Sequence, residues 1–202
     1  MNSIIDLLIQ NIQQTTFIEV IAVIFGLLSV IYSRKQNILV FPTGIISVII
    51  YVYICQQFGL YADMGINFFY FIMSIYGWYN WTHQKGEVKS RAITRTNKTE
   101  KIYLSTLAVI LFIVIRFILI NYTDSNVPNI DAITTSIFLI GMWLMSLKKL
   151  ENWTLWIIGD IISIPLYAYK GLVLTSMQYA IFLIIAIMGY ITWKNAIKSQ
   201  KE

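Results

Sequence analysis

Charge is what this sequence has least of. Only 12% of its 202 residues are Asp, Glu, Lys or Arg, and 57% are hydrophobic. Soluble globular chains carry roughly 25% charged and about 45–50% apolar residues. Mean hydropathy is +0.67, and a water-soluble fold of this size would leave much of that surface exposed. Cysteine is nearly absent: Cys55 stands alone inside an apolar run, which excludes a disulfide framework and a thiolate metal site. Histidine is equally scarce. His83, at the end of an apolar segment, excludes a His-rich metal centre and a buried His proton relay. The net charge of +5 would suggest nucleic acid as partner of a soluble protein. In a chain this apolar it points instead to basic cytoplasmic loops, and no nucleic-acid partner is expected. The first residues, MNSIIDLLIQNIQQTTF, place no positive charge ahead of the apolar stretch. They are read as an interfacial segment, 1–16, rather than a cleavable signal peptide.

What is present is a series of long apolar runs. A bilayer core takes about 20 mostly apolar residues per helix, and seven segments qualify: Phe17–Ser33, Ile38–Gln57, Tyr61–Thr82, Ile102–Asn121, Asp131–Leu147, Asn152–Tyr169 and Leu172–Trp193. The expected fold is an all-α polytopic membrane protein in contact with the lipid bilayer. Thirteen of the fifteen basic residues fall in the 83–101 loop, the 194–202 tail and the short loops holding Arg34-Lys35 and Lys148-Lys149. Lys170 alone lies in a loop on the opposite side, and Arg116 sits within the fourth span. The positive-inside bias then puts the C-terminus in the cytoplasm and the N-terminus outside.

The first three spans can be laid over the last three. At an offset of 115, Asn37 falls on Asn152, Phe41 on Trp156 and Gly44 on Gly159; at 112, Gly59-Leu60 falls on Gly171-Leu172 and Gly77-x-x-x-Trp81 on Gly189-x-x-x-Trp193. One span separates the triplets, so both enter the membrane from the same side: a parallel 3+1+3 repeat of 17–82 and 131–193 linked by the helix 102–121. Transporters built this way place substrate between the repeats.

Five charged residues fall within the spans. Glu19, Asp63 and Asp131 lie near outer ends and are expected at a solvated rim; Arg116 is expected to reach outward or to pair with Asp124 or Asp131. Asp160 is different. Eight residues past Asn152, it sits roughly 12 Å along its helix, near mid-bilayer. A carboxylate there costs at least roughly 2.5–3.5 kcal/mol and calls for a polar cavity or a partner. Trp153, Trp156 and Asp160 follow i, i+3, i+7 spacing on one face, a combination suited to a flat cation through ring stacking, cation–π attraction and charge. Asp63, Asn67, Tyr70, Ser74, Trp78 and Trp81 form a second stripe along one face, and Gln178 is a buried amide in need of partners. The glycines are read as close-packing positions.

These residues resemble a known family, the PnuC-type vitamin transporters. The matching stretches are Lys35-Gln36-Asn37, Phe41-Pro42-x-Gly44-Ile45, Leu60-Tyr61-Ala62, Tyr76-Gly77-Trp78-x-x-Trp81, Glu151-Asn152-Trp153-x-x-Trp156-x-x-x-Asp160, Tyr169-Lys170-Gly171 and Gly189-x-x-x-Trp193, over about residues 17–195. The resemblance implies a homotrimer in the bacterial inner membrane that carries a small cationic vitamin by facilitated diffusion. It further implies that cytoplasmic phosphorylation traps the vitamin, with no ATP or coupling ion; no metal or cofactor is expected. It places ligand contacts on Asn152, Trp153, Trp156 and Asp160, with Asn67 and Gln178 from neighbouring spans. Members resembling nicotinamide riboside carriers tend to have Asn four residues after the second Trp. Asp160 there is similar to the thiamine branch, PnuT, so thiamine is the expected vitamin and nicotinamide riboside the alternative. An enzyme is not expected, because no paired His or Asp motif marks a span boundary. A retinal-type sensor would need a lysine midway along the last span, and there is none.

Overall fold

The computed structural model describes residues 6, 9, 12–13, 15–57, 59–83 and 91–199. Among them are seven helices: α1 (Phe17–Arg34), α2 (Val40–Gln57), α3 (Tyr61–Thr82), α4 (Lys98–Tyr122), α5 (Pro128–Ser146), α6 (Glu151–Tyr169) and α7 (Val173–Ser199). The expected interfacial segment 1–16 and the middle of the basic loop fall largely outside the described residues.

Local chemistry sets several boundaries. Thr16, extended, accepts from the Glu19 backbone N–H and starts α1. Asn97 and Glu100 form a reciprocal capping box that starts α4, four residues before the apolar run begins. Pro128 opens α5, where its missing N–H costs nothing. Five of the seven helices, α1, α2, α4, α5 and α7, are long and apolar enough to cross a membrane by length and composition. The other two, α3 and α6, are as long (22 and 19 residues) but carry the polar residues that line the bundle.

The packing order closes on itself. Helix α1 packs on α2, α2 on α3, α3 on α5, α5 on α6, α6 on α7, and α7 returns to α1. Helix α4 stays outside this ring, touches α5 alone among the described helices and buries none of its residues.

Geometry recurs 112 residues apart at the basic-loop end. Gln36 (φ 55°) and Lys148 (φ 56°) each take the left-handed conformation that ends a helix. The Asn37 N–H donates to the Tyr32 carbonyl and the Lys149 N–H to that of Leu144, both at 2.9 Å. At the other end Gly59 (φ 68°) and Gly171 (φ 75°) end α2 and α6 in the same manner. The indole of Trp81 donates to the Met145 carbonyl (3.2 Å), and that of Trp193 donates to the Ser33 carbonyl (3.1 Å). These two bonds join α3 to α5 and α7 to α1, the two contacts that turn a row of helices into a ring.

Of the expectations about span charges, one needs correction and one is narrowed. Asp131 is not a solvated rim residue: it receives the Lys170 ammonium at 2.6 and 2.9 Å and the Ser125 hydroxyl at 2.6 Å. Arg116 pairs with neither Asp124 nor Asp131; its Nε donates to Asn129 Oδ1 at 2.6 Å. Lys170 is already on Asp131, whereas Asn129 lies on the first turn of α5, the helix against which α4 packs.

Candidate substrate cavity

Serine and glycine rows on α1 and α2 leave room inside the ring. Gly26, Ser29 and Ser33 step along one face of α1, with Gly44 and Ser47 on α2, and small side chains let helices approach closely or leave volume. The hydroxyls of Ser29 and Ser47 are used locally, donating to the Val40 and Ala22 carbonyls at 2.8 Å. Tyr70 and Ser74 of α3, Phe138 and Met142 of α5, Trp153, Trp156 and Asp160 of α6, and Tyr179, Phe182 and Ala186 of α7 complete a cavity of about 230 Å³. That is near the small end for ligand sites and suits one small molecule.

Its wall is aromatic and acidic, and Asp160 is the only formally charged residue among those that line it. Asp160 is 2% exposed, and its Oδ2 has no hydrogen-bond partner among the described residues; Trp153 Nε1 and Ser33 Oγ, also on the lining, share that condition. Buried polar atoms are nearly always paired, so the cavity offers an acceptor, an indole donor and a hydroxyl to whatever enters. Trp156 lies on the same helix face one turn before Asp160. Its ring continues a stacked series: Tyr167 on Tyr179 (5.0 Å, 17°), Tyr179 on Phe138 (5.9 Å, 11°) and Phe138 on Trp156 (5.4 Å, 27°). Pro165, five residues past Asp160, withholds the N–H that would bond the Ile161 carbonyl.

The basic-loop end of the cavity is closed by buried rings. Trp153 meets Trp193 edge-on (5.6 Å), Trp193 lies 5.9 Å from Trp81, and Trp81 meets Phe41 edge-on (5.1 Å). Beneath them Lys148 Nζ sits 4.6 Å over the Trp81 ring. Burial, with Arg91 nearby, pushes the Lys148 ammonium down to about 8. A strap leading into α4 crosses this end. Thr94 bonds Lys148 and Leu150 through the backbone, Glu151 accepts from the Thr96 N–H at 2.9 Å, and Lys149 pairs with Glu100 at 2.9 Å.

Of the six residues assigned to the ligand from sequence, Trp153, Trp156 and Asp160 line the cavity. Asn67, Asn152 and Gln178 do not. Asn67 donates to the Asp63 carbonyl one turn back in its own helix (2.9 Å). Asn152, fully buried, donates to the Lys149 carbonyl at the start of α6. Gln178 sits beside Tyr51 of α2. In the α3 stripe Tyr70 and Ser74 reach the cavity; Trp81 is core and Trp78 is exposed. Phe138, Met142, Tyr179 and Phe182 were not anticipated. The i, i+3, i+7 spacing of Tyr179, Phe182 and Ala186 was the available signal.

A closed helical ring in an apolar chain, around a small aromatic cavity with one buried acid, defines a multi-pass membrane protein built to hold a solute within its span. The family described as nicotinamide mononucleotide transporter matches residues 16–195, and the chain belongs to it. The chain is similar to the nicotinamide riboside transporter PnuC of Escherichia coli (strain K12), 26% identical over 92% of this chain and 88% of that one. It is also similar to the protein of that name from Neisseria mucosa, 27% identical over 88% and 72%. A solved structure described as the vitamin B3 transporter PnuC shares the fold, with a TM-score of 0.73 and 24% identity over 97% of this chain and 88% of that one. The family is one of transporters, not enzymes.

Proposed function

We propose that the chain carries a flat, positively charged vitamin across the bacterial inner membrane by facilitated diffusion, with thiamine as the preferred cargo. The observation behind this is Asp160, a buried carboxylate with an unpartnered oxygen in a cavity whose lining includes no basic side chain. A cation between Trp156 and Asp160 gains ring attraction and charge pairing together. The aminopyrimidine of thiamine adds an exocyclic NH₂ that a carboxylate accepts. Nicotinamide riboside is the second reading, favoured by the names of the relatives from Escherichia coli and Neisseria mucosa. Its carboxamide would find less to match at an acid, and neither Asn67 nor Gln178 lines the cavity to serve it.

Within this reading the triplets 17–82 and 131–193 form a parallel repeat joined by 102–121, the C-terminus is cytoplasmic, and the protein assembles as a homotrimer. No coupling ion is involved; phosphorylation inside the cell keeps the gradient inward. Titration of purified protein with each vitamin is the test. Thiamine binding at least about tenfold tighter, a difference of about 1.4 kcal/mol, supports the first reading. Tight riboside binding without a thiamine response replaces it with the second. Equilibration of vitamin into liposomes without an ion gradient supports uniport, and accumulation driven by a proton or sodium gradient refutes it.

A further inference from the structure

At the end of the bundle away from the basic loops, one ion pair ties two elements of the ring together. Lys170, in the turn between α6 and α7, reaches Asp131 on the first turn of α5 at 2.6 Å, and both side chains are largely covered. Asp63, on the first turn of α3, lies within Coulombic reach of both. Lys170 thus bonds one carboxylate and lies in the field of a second, carried by a third segment. The same ammonium sits 5.7 Å from the Tyr167 ring, and Tyr167 begins the stacked series Tyr167, Tyr179, Phe138, Trp156 that runs into the cavity.

We propose that Lys170 is an entrance residue that sets the charge selectivity of uptake: its ammonium stands on Asp131 in place of the incoming organic cation, and yields to it. Such a gate rests on the reading of the cargo as a cation. With Lys170 displaced, Asp131 and Asp63 leave the mouth negatively charged and uncompensated, and clefts lined by one sign of charge concentrate ligands of the other. A cation moving inward passes from carboxylate to the faces of Tyr167 and Tyr179, and from there to Trp156 and Asp160. A neutral solute has no charge with which to replace Lys170 on Asp131, and an anionic one is repelled by the carboxylates of Asp131 and Asp63. Lys170 and Asp131 are not on the cavity wall, so they govern passage rather than the bound state. A gate of this kind changes entry and exit equally and leaves the dissociation constant alone.

Two measurements on the purified full-length protein test this. Stopped-flow tryptophan fluorescence with thiamine and with nicotinamide riboside gives association and dissociation rates. In Lys170→Met both rates should rise together by about fivefold, the effect of losing one partly covered ion pair, with the dissociation constant unchanged within about twofold; in Asp131→Asn, which also removes the carboxylate that the cation meets, association should not rise. The exchanged pair, Asp131→Lys with Lys170→Asp, should restore slow rates. Faster dissociation alone, with weakened affinity, would assign the pair a structural role and overturn the proposal. The second measurement needs no vitamin. In a Cys55→Ser background, the thiol of Met142→Cys should react faster with a cationic methanethiosulfonate reagent once Lys170→Met is added. An unchanged reaction rate overturns the gate whatever the cargo. A faster rate with no binding of either vitamin supports the gate and rejects the cargo assignment.

Discussion

Trp81 and Trp193 hold corresponding positions in the ring. Each indole is buried, each donates to a carbonyl in the last turns of a helix on the far side of a ring-closing contact (Met145 and Ser33), and their rings lie 5.9 Å apart. Together they fasten both seams of the bundle beneath the cavity. Replacing Trp193 by Phe removes the donor while keeping most of the ring; the Ser33 carbonyl keeps its bond from the Gln36 N–H (3.0 Å), so the loss is that of one hydrogen bond, about 0.5–1.5 kcal/mol. Trp81→Phe should cost a similar amount, read as a lowered midpoint in thermal unfolding of the detergent-solubilised protein.

Gly189 faces Trp153 so closely that an added Cβ would lie 2.7 Å from the indole. Gly189→Ala should therefore destabilise by about 1–3 kcal/mol, as overpacking does. Trp153 lines the cavity, so vitamin affinity should fall as well. Gly65→Ala, where a Cβ meets nothing within 4 Å, is the control and should leave the melting temperature and affinity near wild type.

Trp156→Ala and Asp160→Ala should each weaken vitamin binding severalfold or more while the protein still inserts. A stacked aromatic contributes about 0.5–1.5 kcal/mol beyond area burial. Asp160→Asn is the sharper variant: thiamine affinity should drop more than riboside affinity in the same calorimetric titration. Normal binding by Asp160→Ala would make the acid structural.

Lys148 links stability to pH. Its folded-state value of about 8 lies below the ordinary lysine value of about 10.4. Between the two, the unfolded chain holds more protons, so stability rises with pH across that window. Below about 8 the cost of burying the ammonium is fully present. Melting curves at pH 7 and pH 9.5 should show the wild type gaining on Lys148→Met as pH rises. A constant difference between the two would mean that Lys148 keeps its proton throughout.

Trp153, Trp156 and Asp160 were legible because an acid in mid-span is costly and the residues around it fall at helical spacing. Asn152 and Gln178 lie one position off the cavity wall: each adjoins a residue that does line it, Trp153 and Tyr179, and one step along a helix turns a side chain by about 100°. Asn67 is on the correct face but one turn too far from the cavity. Phe138 gave no contrast, because aromatic residues in an apolar run look alike whether they face lipid, core or ligand. The left-handed turns at Gln36 and Lys148 recur at an offset of 112, where the sequence comparison pairs Asn37 with Asn152 at 115. The partner of Arg116 was not readable, since it depended on which helix α4 rests against.

The closed ring places every wall of the cavity within a single chain. Whatever number of copies associate, a defective copy takes nothing from its neighbours' sites and lends them nothing. Cells expressing wild type and Asp160→Ala in varied ratio should lose uptake in simple proportion to the mutant share, without dominance. A lesion in one copy would then be recessive at the level of any assembly.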